Sequence, residues 1–171
     1  QSGVGALPAA VCGHLWETWG RQRPQFIVVE PHDADCLYRS AEAGRPVTVT
    51  GGLHTVMAGL ACGQPSLLAW AILERGADAF VSIPDDAAVT AMKLLASGEA
   101  GDRPVVAGES GVAGLAAVLC VAGDPEARAA LGLAPDARVL VFGTEGATDP
   151  AVYEALTGLA PSAVCGPARV G

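Results

Sequence analysis

Charge is scarce in this chain, and positive charge is scarcest. Of 171 residues only 16% are charged, with 10 basic against 18 acidic side chains and a formal net charge of −8. A chain of that sign does not attract phosphate backbones or anionic headgroups, and no basic run offsets it. Nucleic acid and membrane surfaces are therefore not expected as partners. No apolar run reaches the roughly 20 residues needed to cross a bilayer. No charged n-region and apolar h-region open the chain, so no signal peptide is expected. Cys-x-x-Cys spacing is absent. The five cysteines, Cys12, Cys36, Cys62, Cys120 and Cys165, are odd in number and far apart. They read as reduced thiols, and a cytoplasmic location is expected. Lysine is nearly missing too: Lys93 stands alone, in the middle of an expected helix and away from every glycine loop. It reads as an exposed helix residue.

Apolar residues, by contrast, make up 51% of the chain. That is enough to offset the entropy of ordering a domain of this length. The chain opens on Gln1-Ser2-Gly3-Val4-Gly5-Ala6-Leu7, two glycines at i and i+2 running into an apolar helix. Glycine permits positive φ and lets a ligand reach bare backbone. The helix behind it would aim free N–H groups and a positive dipole end at an anion. Spacing alone leaves open whether Gly3 to Leu7 cradle a phosphate or make a tight turn.

Strand-like and helix-like segments then alternate. Strands are expected at 26–29, ended by Glu30-Pro31, and at 46–49, 79–83, 105–107 and 139–142. Helices are expected over 9–19, from an N-cap at Asp33 to Ala43, and over 66–75, 84–96, 113–121 and 125–131. A last one starts at Pro150, with Thr148 or Asp149 as its N-cap. The first helix is apolar almost all round and is expected to be buried. This order indicates an α/β fold with a mostly parallel sheet covered on both faces, a three-layer αβα arrangement. Residues 1–159 form the expected domain and 160–171 a loose tail.

The remaining candidates are weighed by position. Gly143-Thr144-Glu145-Gly146-Ala147-Thr148-Asp149 follows a strand, where open α/β sheets hold ligands. Thr144 can both donate and accept a hydrogen bond and is the ligand candidate there, while Thr148 and Asp149 read as caps. Gly108 to Gly114 reads as a close-packed turn. His32, Asp33, Asp35 and Cys36 cluster without a metal-ligand spacing, so a solvated helix start is expected and no metal. His14 and His54 are isolated, and Gly108-Glu109-Ser110-Gly111 fails the nucleophile-elbow pattern.

Several of these segments together resemble the diaminopropionate ammonia-lyase family, in the family's order. They are Gln1 to Ala6, Val29-Glu30-Pro31 with Asp33 to Ser40, Met57 to Gly63, Gly108 to Gly111, and Thr144 to Asp149. The family belongs to the pyridoxal-phosphate enzymes of the tryptophan-synthase-β type, fold type II. The resemblance runs to about Leu159 and is to the C-terminal part of the large domain. It implies β-elimination of ammonia from 2,3-diaminopropionate, giving pyruvate and a second ammonia. It implies pyridoxal 5'-phosphate as cofactor, with its phosphate on Gly3, Val4, Gly5, Ala6 and Leu7. Thr144 lies where related enzymes set a hydroxyl against the pyridine nitrogen, although family members can carry Ser where this chain has Gly143. A homodimer and a small amino-acid substrate are implied as well.

The family's cofactor lysine and catalytic carboxylates precede the glycine loop, so none maps onto this chain and catalytic residues are expected upstream of Gln1. The chain does not open with Met, and a fragment lacking its N-terminal part, inactive alone, is the expectation. One half of a split enzyme, a serine/threonine dehydratase-like lyase and a non-catalytic α/β cofactor-binding module are the alternatives. Without a strand ahead of Gln1, the chain is expected to need a partner or an oligomer to stay in solution.

Overall fold

The computed structural model describes residues 1–99 and 102–165. The chain runs α1 (Ala6–Trp19), β1 (Ile27–Pro31), α2 (Cys36–Ala43), α3 (Leu67–Gly76), β2 (Ala79–Ile83), α4 (Asp85–Ser97), α5 (Ala113–Gly123), α6 (Pro125–Ala130), α7 (Pro150–Thr157) and α8 (Pro161–Cys165). The strands β1 and β2 pair in parallel with Ile27 opposite Ala79 and Pro31 opposite Ile83. Successive side chains of β1 face opposite ways, as the pleat requires. Val28 and its neighbour Phe80 enter a core with Ala9 and Cys12 of α1, Leu37 of α2, and Trp70 and Leu73 of α3. Val29 and Val81 enter the other core, with Met92 of α4, Ala113 and Ala116 of α5, and Tyr153 of α7. Helices thus cover the pair on both faces, and the α/β class with a parallel sheet stands.

The helices stop where local chemistry stops them. Gly44, Gly98 and Gly158 close α2, α4 and α7 in the left-handed conformation that glycine adopts without penalty. Ser66 caps α3, its side chain accepting from the Ala69 N–H, and Asp124 and Asp149 cap α6 and α7 ahead of a proline. A residue before proline is held out of the helical region, so aspartate at that point is well placed to cap.

The expected strands at 46–49, 105–107 and 139–142 do not form; among the described residues the sheet has two strands. Strand propensity needs a partner to become a strand. Around Val47 and Val49 the backbone N–H groups go to Ser40 Oγ and Gly63 O instead. Val139 to Phe142 are exposed. Between them and the Ile27–Val29 edge of β1 lies a cavity of about 550 Å3. The first strand starts and ends later than expected, taking in Glu30 and Pro31. Helix α1 starts earlier than expected, at Ala6, and only one face of it is buried. Trp16 and Trp19 are 39% and 52% exposed. The buried face packs on α2 and α3; Val11 and Trp19 line the cavity, and Trp16 carries the Arg23 guanidinium 4.6 Å from its ring centroid. The expected tail starts with α8, in which Val164 is buried; the tail from 166 on lies outside the described residues.

Leu73 is fully buried at the centre of the α1–α2–α3 core. Leu73→Ala is predicted to destabilise the fold by about 2–5 kcal/mol in a denaturant titration. A loss below about 1 kcal/mol would show that this core is not packed as described.

Candidate functional site

The opening loop leaves from beside the carboxyl half of β1, where the Ser2 N–H donates to Val29 O at 2.9 Å. Gly5 is the N-cap of α1 at φ +101°. A Cβ on Gly5 would lie 2.9 Å from Ala69 Cβ and 3.3 Å from Leu37 Cδ1, so both conformation and space demand glycine there. The loop is also tied to α3: Val4 O accepts from the Ser66 N–H at 2.9 Å. The first N–H of α1 with a protein acceptor is that of Ala9, which donates to Gly5 O at 2.9 Å. Among the described residues the N–H groups of Gly3, Val4, Gly5, Ala6 and Leu7 have none. Pro8 has no N–H to offer. No acidic side chain stands in the first turn, so the helix's positive end is open to an anion.

Beneath this loop sits a residue that sequence reading took only as the end of a strand. Glu30 is 1% exposed. Its carboxylate accepts from the Leu37 N–H at 3.1 Å and the Tyr38 N–H at 2.8 Å, capping α2 from a distance in sequence. The expected cap, Asp33, is exposed in a short 3-10 turn over His32–Ala34, and α2 starts after it. The Cys36 thiol lies 3.6 Å from Glu30 Oε1 and 3.8 Å from Gly3 O, so it bridges the carboxylate to the glycine loop. Burial raises Glu30 to a pKa of about 7, outweighing the donors that favour its charged form. Burial and the adjacent carboxylate push the Cys36 thiol up to about 12. A lone acid closing an apolar strand run was the available signal.

Three further loops close around the first. A Cβ on Gly3 would lie 3.0 Å from Cys62 Sγ and 3.4 Å from Gly59 O. The Gly59 N–H donates to Ser110 Oγ at 2.9 Å, and the Ser110 N–H donates to Glu145 Oε2 at 3.1 Å. The Gly108 N–H donates to Glu145 O at 3.0 Å. Gly108 and Gly111 leave no space for a Cβ against Glu145 and Gly146, so 108–111 is the close-packed turn expected. Gln1 Nε2 closes the ring by donating to Thr144 Oγ1 at 2.6 Å and Phe142 O at 2.8 Å. Thr144 is thereby joined to the chain segment that carries Gly3 to Leu7. Gln1 was missed as a site residue because nothing local marks it.

The other candidates fall outside this ring. Asp149 Oδ1 accepts from the Ala151 and Val152 N–H groups at 3.0 and 3.1 Å, and the Thr148 hydroxyl donates to Glu145 Oε1 at 3.3 Å. Of the cluster at 32–36, Asp35 pairs with Arg39 at 3.1 Å and His32 is exposed. Lys93 is exposed on α4, and His14 and His54 are exposed.

Residues 1–145 match the family model of pyridoxal-phosphate dependent enzymes. The chain belongs to that family. Pyridoxal phosphate is accordingly its cofactor. The chain is 42% identical over 156 residues to the diaminopropionate ammonia-lyase of Escherichia coli strain K12, covering 90% of this chain and 39% of the relative. It is 39% identical over 160 residues to that of Salmonella typhimurium, covering 90% and 40%. Among solved structures, the Escherichia coli diaminopropionate ammonia lyase in complex with an aminoacrylate-PLP azomethine reaction intermediate superposes with a TM-score of 0.81 at 39% identity. That match covers 92% of this chain and 40% of the other. The chain thus spans about two fifths of the length of these relatives.

Because Glu30 is raised from 4.5 to about 7, the folded state holds a proton that the unfolded state gives up between those values. That contribution is full below pH 4.5 and is lost as pH rises through 7. Its size is roughly 3 kcal/mol at 1.36 kcal/mol per pH unit. Unfolding followed from pH 5 to 8 is predicted to show stability falling, with Glu30→Gln flattening that slope. An unchanged slope in Glu30→Gln would assign the titration to another group.

Proposed function

We propose that this chain is the cofactor-gripping, C-terminal part of a carbon–nitrogen lyase that eliminates ammonia from 2,3-diaminopropionate to give pyruvate and ammonia. The observation that carries the reading is the run of N–H groups from Gly3 to Leu7 without protein acceptors, on a glycine that no other residue can replace. That cradle fits a phosphate. Backbone amides at a helix start hold a dianion through several charge-assisted hydrogen bonds and do not titrate. The Thr144 hydroxyl, tied to the same segment through Gln1, lies on the side proposed to face the pyridine nitrogen. When bound, pyridoxal phosphate supplies the electron sink that makes a Cα proton acidic. This chain's part is to fix where that sink sits.

The lysine that joins the cofactor and the carboxylates that move the proton are assigned to the part of the protein that precedes Gln1. Lys93 is exposed on α4, remote in sequence from the ring of loops. The cavity beside β1 supports the same division. It is walled by Ile27 and Val29 on one edge, Val139 and Val141 on the other, and Val11 and Ala117 from the helices. Such a slot suits an apolar strand from another part of the protein. A reducing, cytoplasmic setting agrees with the free thiols of Cys12, Cys36, Cys62 and Cys120. The homodimer stays part of the proposal through the family resemblance.

The test is pyruvate release from 2,3-diaminopropionate by the full protein and by the chain starting at Gln1, both with pyridoxal phosphate. Turnover is expected from the first alone. Turnover by the short chain, or by the full protein only with serine or threonine, would overturn the assignment. In the full protein, Gly5→Ala is predicted to weaken cofactor binding tenfold or more in a fluorescence titration, since each hydrogen bond to a charged group contributes about 1.5–3 kcal/mol. Unchanged affinity would remove Gly3 to Leu7 as the cradle.

A further inference from the structure

We propose that Glu30, Cys36 and Gly3 form a proton-linked latch beneath the glycine loop. With Glu30 neutral, the Cys36 thiol holds the Gly3 carbonyl and the loop grips its anion; with Glu30 charged, that hold is released. The latch rests on the reading above, in which the amides of Gly3 to Leu7 hold the cofactor's phosphate.

One proton is shared between two acceptors. Cys36 Sγ lies 3.6 Å from Glu30 Oε1 and 3.8 Å from Gly3 O. Burial and the adjacent carboxylate push the thiol up to about 12, so it keeps its proton throughout the neutral range. A thiol has a single S–H to give. A charged carboxylate is a stronger acceptor than a backbone carbonyl, so ionised Glu30 claims that proton. Neutral Glu30 can instead donate its own O–H to Sγ, which leaves the S–H for Gly3 O. The Ser2 hydroxyl reaches that oxygen only at 3.3 Å. Burial raises Glu30 to about 7, so the exchange falls where small changes of pH decide it.

The Gly3 carbonyl shares its peptide plane with the Val4 N–H, at the opposite end. The Val4 N–H has no protein acceptor among the described residues. Donation into the carbonyl fixes that plane and strengthens the N–H at its other end as a donor. Protonation below the loop thus tightens the grip above it. By linkage, a bound phosphate in turn favours the proton on Glu30.

The surroundings of Glu30 leave it to act as the switch. Asp35, just before α2, adds a negative charge that favours the neutral form, and Asp35 is itself paired with Arg39 at 3.1 Å. Cys62 lies against Gly3 and bears on Cys36. From β2, Ser82 stands opposite Glu30 in the register and carries no charge. Helices α1 and α3 bring apolar side chains and Cys12, which responds to Arg23 and Asp78. The Gln1 amino group also senses Glu30; in the full protein of the reading above it is an uncharged peptide nitrogen.

The test is a pyridoxal-phosphate titration of the full protein from pH 6 to 8.5, read by fluorescence. Proton uptake is followed beside it by calorimetry in buffers of different ionisation heat. The cofactor's phosphate titrates too, so the readout is the difference from Glu30→Gln, which stays neutral. Across this range the wild type is expected to lose about three- to tenfold more affinity than Glu30→Gln, one hydrogen bond's worth. It is also expected to take up more proton per cofactor bound near pH 7.5. Cys36→Ser, which keeps a donor, is expected to retain that difference, and Cys36→Ala to lose most of it. The same pH dependence in wild type and Glu30→Gln, or the full wild-type dependence in Cys36→Ala, overturns the latch and leaves the cradle standing. If Glu30→Gln does not fold, Cys36→Ala against the wild type decides alone. Unchanged affinity in Gly5→Ala removes the cradle, and the latch with it.

Discussion

Gly5 has almost nowhere to go. Its backbone turns through φ +101° against Ala69, Leu37 and Leu73, at the point where α1, α2 and α3 meet. Left-handed backbone costs an L-residue about 1–2 kcal/mol, and an added methyl in a filled core costs about 1–3 kcal/mol more. The close approach therefore fixes glycine, and glycine fixes the direction in which α1 starts. With that direction set, the N–H groups of residues 3–7 have no protein acceptor among the described residues. The loop's place at the carboxyl end of β1 follows the general habit of α/β sheets, where loops at strand ends carry the ligand.

Glu30 supplies the second constraint from below. Burying a carboxylate is costly unless donors meet it. Here the Leu37 and Tyr38 N–H groups do, at the positive end of α2. The cost is not fully recovered, which is why its proton affinity rises. What the arrangement gains is location. It ties the end of β1 to the start of α2, and through the Cys36 thiol to Gly3 O. The glycine loop is thereby held by packing at Gly5 and by a polar chain at Gly3. The proposed phosphate cradle, which must meet its ligand's oxygens within tenths of an ångström, benefits from both.

Apart from α8, the helices were legible in the sequence because their punctuation is local. Ser66, Pro125 and Asp149-Pro150 start helices, and Gly44 and Gly158 stop them; each acts within a turn of its own position. The strand at 79–83 was legible too, since it has a partner in β1. Val139 to Phe142 had the strongest strand composition and formed no ladder, because pairing is a contact between distant segments that composition does not encode. The same limit hid the two polar anchors of the site. Glu30 caps a helix seven residues on, and Gln1 reaches Thr144 across 143 positions. Glycine spacing marked the loop as a candidate cradle, whereas Glu30 and Gln1, which tie it to the rest of the fold, act across distances that spacing does not encode.

The central claim is that the backbone amides of Gly3 to Leu7 hold the phosphate. The measurement that meets it most directly is the amide 15N–1H spectrum of the full protein, recorded with and without pyridoxal phosphate. The account predicts large downfield proton shifts, and slowed hydrogen exchange, at the Gly3, Val4, Gly5, Ala6 and Leu7 amides on cofactor addition. Amides of this loop that stay put while the cofactor binds elsewhere would contradict it.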